Sequence, residues 1–199
     1  DPDLRPYVLL APRLGGDAVG NVAACDSWNG SPLLWAEQGP FGLALLCRDY
    51  DGRDAFVRRS VGMTGASDLW QDFNLHGEMT WSYAEAGPGE VALAGELPRS
   101  GTLGVGFGTS KEAAATLTRA SLTEGFDAAW EQHCALWRAW QATLPRIAKR
   151  VGAADDLIET MLRRSAAVLK FHEDHTYPGA MTASLSVPWG DSSNSRGGY

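Results

Sequence analysis

Up to about residue 110 the apolar positions come in short runs separated by turn residues, at the roughly 8–12-residue spacing of an all-β sandwich. Pro6–Leu10, Pro32–Glu37, Gly42–Cys47 and Ala55–Ser60 are predicted strands. Gly15-Gly16, Asn29-Gly30-Ser31, Gly39-Pro40 and Asp51-Gly52 are the turns between them. Asn-Gly and Asp-Gly supply the positive φ that tight hairpins demand. Met79-Thr80-Trp81-Ser82-Tyr83 alternates apolar and polar, which predicts a segment with one buried face. Gly87-Pro88-Gly89 turns the chain into Val91-Ala92-Leu93. Leu103–Phe107 is the last strand, and Gly104, Gly106 and Gly108 predict a close backbone approach or a bulge there.

Beyond residue 110 the period becomes helical. Thr109-Ser110-Lys111-Glu112 reads as a capping box, with Thr109 as N-cap and Glu112 three residues on. Ala113-Ala114-Ala115 favours the helix that follows. A second helix is predicted from about Phe126 to Leu144, with Trp130, His133, Trp137, Trp140 and Leu144 on one face and Pro145 at its end. A third runs from about Ala154 to His172. Leu157, Met161, Ser165, Val168 and Leu169 follow its helical face, and Asp155-Asp156 suit its N-terminal dipole. Tyr177-Pro178-Gly179 stops it, and the rest to Tyr199 reads as loop. Strands first and helices afterwards make the fold class α+β, or two joined domains, rather than alternating βαβ units.

Composition narrows the function. Lys and Arg number 17 against 24 Asp and Glu, a net charge of -7, which argues against a nucleic-acid or anionic-membrane footprint. No run of about 18 apolar residues is present to make a transmembrane helix. Cys25, Cys47 and Cys134 are odd in number and far apart, so they form neither a disulfide framework nor a zinc site, and the redox compartment stays open. The chain starts at Asp1 rather than Met and shows no signal peptide, and Ser192–Tyr199 is a loop ending on an aromatic residue. The first feature means that a leader was removed or that the chain starts inside a longer protein, and the second raises the same suspicion.

Most candidate chemistry has a plainer explanation. His172-Glu173-Asp174-His175 looks like a metal or acid–base cluster, yet a histidine near a helix C-terminus is favourable for the dipole alone; His76 and His133 are the other histidines. No G-x-S-x-G nucleophile elbow occurs. Gly104–Gly108 lacks the Lys-Ser/Thr of a phosphate-binding loop. Sugar hydrolysis needs two carboxylates facing across a pocket, but spacing singles out no pair among Asp68, Asp72, Glu85, Glu173 and Asp191, each of which suits a surface or a cap. Eight tryptophans are present. An indole suits a pyranose face as well as a core, and helical spacing assigns Trp130, Trp137 and Trp140 to packing. Trp189, in a loop of Gly, Ser and Pro, is the better candidate for ligand contact.

Arg163-Arg164-Ser165-Ala166-Ala167-Val168-Leu169-Lys170, the following His172–Met181, and Ala183-Ser184-Leu185-Ser186-Val187-Pro188-Trp189-Gly190 up to Gly197-Gly198-Tyr199 together resemble the start of the catalytic domain of bacterial glucoamylases and glucodextranases, glycoside hydrolase family 15. Ser67-Asp68-Leu69-Trp70-Gln71-Asp72 and Gly104–Gly108 are similar to the close of that family's N-terminal β-sandwich, and Leu136-Trp137-Arg138-Ala139-Trp140 to its helical linker.

The resemblance implies an α+β multidomain fragment. Residues 1–108 would be an antiparallel β-supersandwich portion, 109–150 a helical linker, and 151–199 the first helix and loop of an (α/α)6 catalytic barrel. It further implies exo-acting, inverting release of glucose from the non-reducing ends of α-glucans, with no metal or cofactor. In the family a tyrosine at the position of Tyr199 is followed by a tryptophan and an Arg-Asp pair that line the terminal-glucose subsite. On this resemblance Tyr199 and Trp189 are substrate-binding, and no catalytic residue falls within the chain, because both glutamates lie further on. His175 stands where a basic residue such as lysine is expected. The partners implied are an α-glucan or maltooligosaccharide and the remainder of the barrel, with no nucleic acid and no membrane, and the resemblance leans towards a periplasmic or extracellular location. Two other readings of the residues stay open: a carbohydrate-binding β-sandwich without catalysis, and a purely structural domain packed through the Trp130/Trp137/Trp140 face.

Overall fold

The computed structural model describes residues 4–16, 18–145, 156–174 and 176–182. The chain divides into two compact units, 1–129 and 130–199.

In the first unit the described residues form eight strands and two complete α-helices, arranged in layers. The strands are β1 (Tyr7–Leu10), β2 (Asn21–Trp28), β3 (Ser31–Gln38), β4 (Phe41–Asp49), β5 (Arg58–Met63), β6 (Glu85–Gly89), β7 (Val91–Glu96) and β8 (Gly101–Gly108). The helices are α1 (Leu69–His76) and α2 (Lys111–Glu124). β1-β7-β5 form a three-stranded sheet and β6-β2-β3-β4-β8 a five-stranded one; every pairing is antiparallel.

Strand alternation sorts the side chains between layers. Leu34, Leu43 and Leu45 of the larger sheet pack with Val61, Val91 and Leu93 of the smaller one to form the main core. The opposite face of the larger sheet gives Leu33, Ala44 and Leu46 to Ala114, Ala115 and Leu122 of α2. On the far side of the smaller sheet, Leu69 of α1 packs with Met79 and Ala94, and the Tyr7 and Phe73 rings meet edge-on at 4.9 Å.

The hairpin from β2 to β3 turns on Asn29 (φ 50) and Gly30 (φ 85), as the Asn-Gly pair predicts. The glycines of β8 make the expected close approach. A Cβ on Gly104 would stand 2.8 Å from Thr118 Cγ2, one on Gly106 2.7 Å from the Ala114 carbonyl oxygen, and one on Gly108 2.7 Å from the Ala114 nitrogen. With no side chain at these three positions, α2 settles directly on the strand backbone there.

Several local expectations are corrected by hydrogen bonding. The strand predicted over Ala55–Ser60 is Arg58–Met63, because Ala55 N–H donates to the Cys47 carbonyl and Val57 N–H to that of Glu96 before the regular ladder begins. Met79–Tyr83 buries Met79 and half-buries Trp81 while Thr80 and Ser82 are exposed, without joining a strand ladder: the N–H groups of Thr80 and Trp81 go to the carboxylate of Asp72. Gly87-Pro88-Gly89, read as a turn, lies inside β6, with Ala86 opposite Ala23 and Gly89 opposite Asn21. The N-cap of α2 is Ser110 rather than Thr109, since the Ser110 hydroxyl accepts from Ala113 N–H at 3.2 Å. Glu112 still serves the helix start. Its own backbone N–H, and then the Ser110 hydroxyl, hold its carboxyl below the usual range.

The second unit takes in most of α3 (Phe126–Thr143) and all of α4 (Asp156–Phe171). Trp130, His133, Trp137 and Trp140 run along α3 as one row, with successive ring centroids 5.9, 6.2 and 5.4 Å apart. Trp137 meets Phe171 of α4 at 4.7 Å, and Arg163 of α4 donates to the Gln141 carbonyl at 3.0 Å while pairing with Glu159 at 2.7 Å. Leu157, Met161, Val168 and Leu169, the row marked by spacing on α4, are exposed, whereas Leu162, Arg163, Ala166, Ala167 and Lys170 are half-buried. The row that spacing marks on α4 is therefore its exposed one. No described helix is long and apolar enough to cross a membrane.

Candidate functional site

The carboxylate of Asp72 has four polar contacts. It sits in the first turn of α1, a helix whose N-cap, Asp68, accepts from Gln71 N–H at 3.0 Å and whose C-cap, Gly77, has φ 74. One side-chain oxygen of Asp72 accepts the backbone N–H groups of Thr80 (2.7 Å) and Trp81 (2.8 Å). The other accepts the Thr80 hydroxyl (2.7 Å) and lies 2.9 Å from His76 Nδ1. Its side chain is 1% exposed. Burial alone would push the carboxyl up; the Trp81 N–H, the Thr80 hydroxyl, His76 and the Thr80 N–H outweigh it and hold the group below its ordinary value.

This carboxylate is thus no free acid or base. It is an anchor for the segment after α1. Asp68 and Asp72 both suit capping roles in sequence, and Asp68 fills one, but Asp72 is a buried hub. The pattern Asp72-x-x-x-His76 followed by Thr80-Trp81 after a helix-ending glycine is the signal for it.

The anchored segment continues to be pinned. Tyr83 N–H donates to the Ser60 hydroxyl at 3.0 Å, Val61 N–H donates to the Tyr83 carbonyl at 3.1 Å, and Cys25 N–H donates to the Ala84 carbonyl at 2.8 Å. Trp81 and Tyr83 stand two residues apart with ring centroids 5.8 Å from each other and ring planes 53° apart. They line a cleft of about 530 Å³ together with Phe56, Arg58, Arg59 and Cys25. Arg59 Nη1 donates to the carbonyls of Asp26 and Leu33; Arg58 Nη1 donates to the Met79 carbonyl, and its Nε lies 3.6 Å from Glu96. The Cys25 thiol donates to the Tyr83 carbonyl at 3.4 Å, and burial pushes it above its ordinary pKa against the opposing pull of Arg59. Cys47 is pushed up to about 11 by burial and by Asp49. Neither thiol is primed as a nucleophile.

The other candidates are dispersed. Glu85 is exposed on β6. Glu173 pairs with Lys170 and accepts from Gly179 N–H at 2.9 Å. His172 Nδ1 lies 2.8 Å from the Val168 carbonyl of its own helix, a bond at the helix C-terminus rather than a ligand geometry. Among the described residues no group of three or more His, Cys, Asp or Glu is placed to hold a metal ion. His175, Trp189, Asp191 and Tyr199 lie outside the described residues. The cleft residues carry no sequence motif of their own; only the alternation over Met79–Tyr83 singled that segment out, and it pointed to one buried face.

The family model described as glucodextranase, domain N matches residues 1–142. A glucoamylase from Clostridium sp. (strain G0005) is 27% identical over 203 residues, a match that takes in 99% of this chain and 27% of that protein. The crystal structure of a bacterial glucoamylase complexed with acarbose superposes with a TM-score of 0.77 at 24% sequence identity, covering 94% of this chain and 27% of that one. The chain therefore spans about a quarter of the length of these relatives. The fold shared with that structure is the antiparallel sheets and four helices described above.

Proposed function

The chain belongs to the glucodextranase domain N family of glycoside hydrolase family 15, bacterial glucoamylase-like proteins, and on that premise we propose that it is the non-catalytic portion of an inverting, exo-acting α-glucan hydrolase that releases glucose from non-reducing ends. In this reading residues 1–108 are a β-sandwich portion, 109–150 a helical linker and 151–199 the start of an (α/α)6 barrel, to whose sugar pocket Tyr199 and Trp189 contribute. The observation that carries it is the alignment of 99% of the chain with 27% of a glucoamylase.

The surfaces support the reading. The larger sheet has two strands more than the smaller one. On its main-core face Phe107 of β8 pairs with Leu43 and Val105 with Leu45, yet Phe107 and Val105 are exposed, and so is Phe41. An uncovered apolar row beside a packed core marks a surface that further chain would cover. The exposed apolar residues of α4 call for the same.

The chemistry supports a non-catalytic role. Inverting hydrolysis needs a carboxylic acid and a carboxylate roughly 6.5–9.5 Å apart across a sugar-sized space. Asp72 is buried and saturated with donors, and Asp68 caps a helix. The test is glucose release from maltose by this chain and by a longer protein that continues past Tyr199. The longer protein is expected to release β-glucose first, seen by proton NMR, while the 199-residue chain releases none. Release by the chain alone, or α-glucose as first product, would overturn the proposal.

A further inference from the structure

We infer that the cleft of Phe56, Arg58, Arg59, Trp81 and Tyr83 is a non-catalytic binding site for a neutral oligosaccharide; that this is an α-glucan rests on the hydrolase reading above.

The argument begins with rigidity. Residues 80–84 have no strand ladder, yet their main chain is fixed at successive points by Asp72, Ser60, Val61 and Cys25. A buried carboxylate spending two acceptor sites on two adjacent backbone N–H groups is a costly way to hold a loop unless its conformation matters. What the loop presents is two aromatic rings. Tyr83 is 44% exposed and Trp81 half-buried. Rings held before the ligand arrives avoid the ordering penalty that weakens binding.

Shape and chemistry agree with a sugar. About 530 Å³ lies within the roughly 300–1,000 Å³ range of small-molecule sites. Flat indole and phenol faces match the apolar faces of pyranose rings. The two guanidiniums are oriented by main-chain carbonyls through Nη1, and among the described residues Arg59 makes no other side-chain hydrogen bond, which leaves fork donors for hydroxyl groups. A net charge of -7 disfavours a polyanionic glycan. The 53° between the ring planes suits an α-linked chain, whose successive rings turn relative to one another, better than a flat β-1,4-linked ribbon.

Affinity electrophoresis through gels containing amylopectin, with hydroxyethyl cellulose as the control, tests this on the 199-residue chain. Retardation by amylopectin and not by the cellulose derivative is expected. Trp81→Ala and Tyr83→Ala should each raise the dissociation constant at least fivefold while keeping the far-UV circular dichroism of the parent. Should Trp81→Ala lose its fold, Tyr83→Ala decides alone. An unretarded parent chain, equal retardation by both polysaccharides, or variants retarded like the parent would overturn the inference. Glucose release by the longer protein separates the two claims. Release without retardation removes the cleft and leaves the hydrolase reading; retardation without release does the reverse.

Discussion

Gly106 of β8 and Thr118 of α2 face each other with no room for a methyl group between them: a Cβ on the glycine would collide with the threonine hydroxyl and come within 2.7 Å of the Ala114 carbonyl oxygen. The threonine hydroxyl is itself engaged, donating to that carbonyl at 2.7 Å. Because backbone stands in the way, repacking a side chain cannot relieve the clash. Gly106→Ala is expected to destabilise the first unit by about 2–3 kcal/mol, in line with other overpacked cores. Urea unfolding followed by circular dichroism measures it, and a variant as stable as the parent contradicts the fit described.

Asp72 gives the chain an acid-labile element. Its folded-state pKa is depressed, so its contribution is fully present above the unfolded value near 3.9 and is lost as pH falls through the lower folded value. Stability should therefore drop as the pH is taken from about 5 to below the unfolded pKa. In Asp72→Asn that part of the drop should vanish, and stability at pH 7 should be about 2–3 kcal/mol lower through loss of the charged hydrogen bonds. Unfolding curves of both proteins between pH 3 and pH 7 check the sign; parallel profiles would contradict it.

The start of α2 offers a discriminating pair. Ser110→Ala removes the cap and should cost about 1 kcal/mol. Thr109→Ala should change stability by less than half as much. Thermal unfolding of the two variants side by side decides which residue caps the helix.

Trp137 holds the second unit together through its ring contacts with Phe171 of α4 and Trp140. Trp137→Ala should lower the stability of this unit by about 2 kcal/mol, less than for a fully buried tryptophan because the site is only half-buried. Amide hydrogen exchange, with residues 156–171 losing protection before the sheets do, would show the loss to be local; unchanged protection there would refute it.

Periodicity announced the elements that bury long apolar runs. β3, β4 and β7 were legible because Leu34, Leu43, Leu45 and Leu93 fill a two-sided core, β8 because its apolar residues alternate with glycines, and α2 to α4 because their period persists over 14 to 18 residues. β2 was missed: Asn21-Val-Ala-Ala-Cys-Asp-Ser-Trp28 is made mostly of small residues with weak strand preference, and its neighbours β3 and β6 place it. α1 was missed because its eight residues allow only two turns and it is held by Asp68 and by packing on Met79 and Ala94. The cleft was invisible for another reason. Trp81 is held at the cleft by Asp72, while Arg58 and Arg59 reach it from β5 and bond the carbonyls of Met79, Asp26 and Leu33; the Asp72-x-x-x-His76 pattern marks the carboxylate only once its helix and the glycine that ends it are known.

The bare glycine face of β8 constrains how this part of the molecule can change over time. Where a strand and a helix meet through side chains, a bulkier group on one can be matched by a slimmer one opposite. Here the obstacles at positions 106 and 108 include main-chain atoms of residues 113 and 114, which no exchange of amino acid can trim. Drift on the strand therefore has no compensating partner on the helix, and the seam is expected to stay glycine while the surfaces around it diverge.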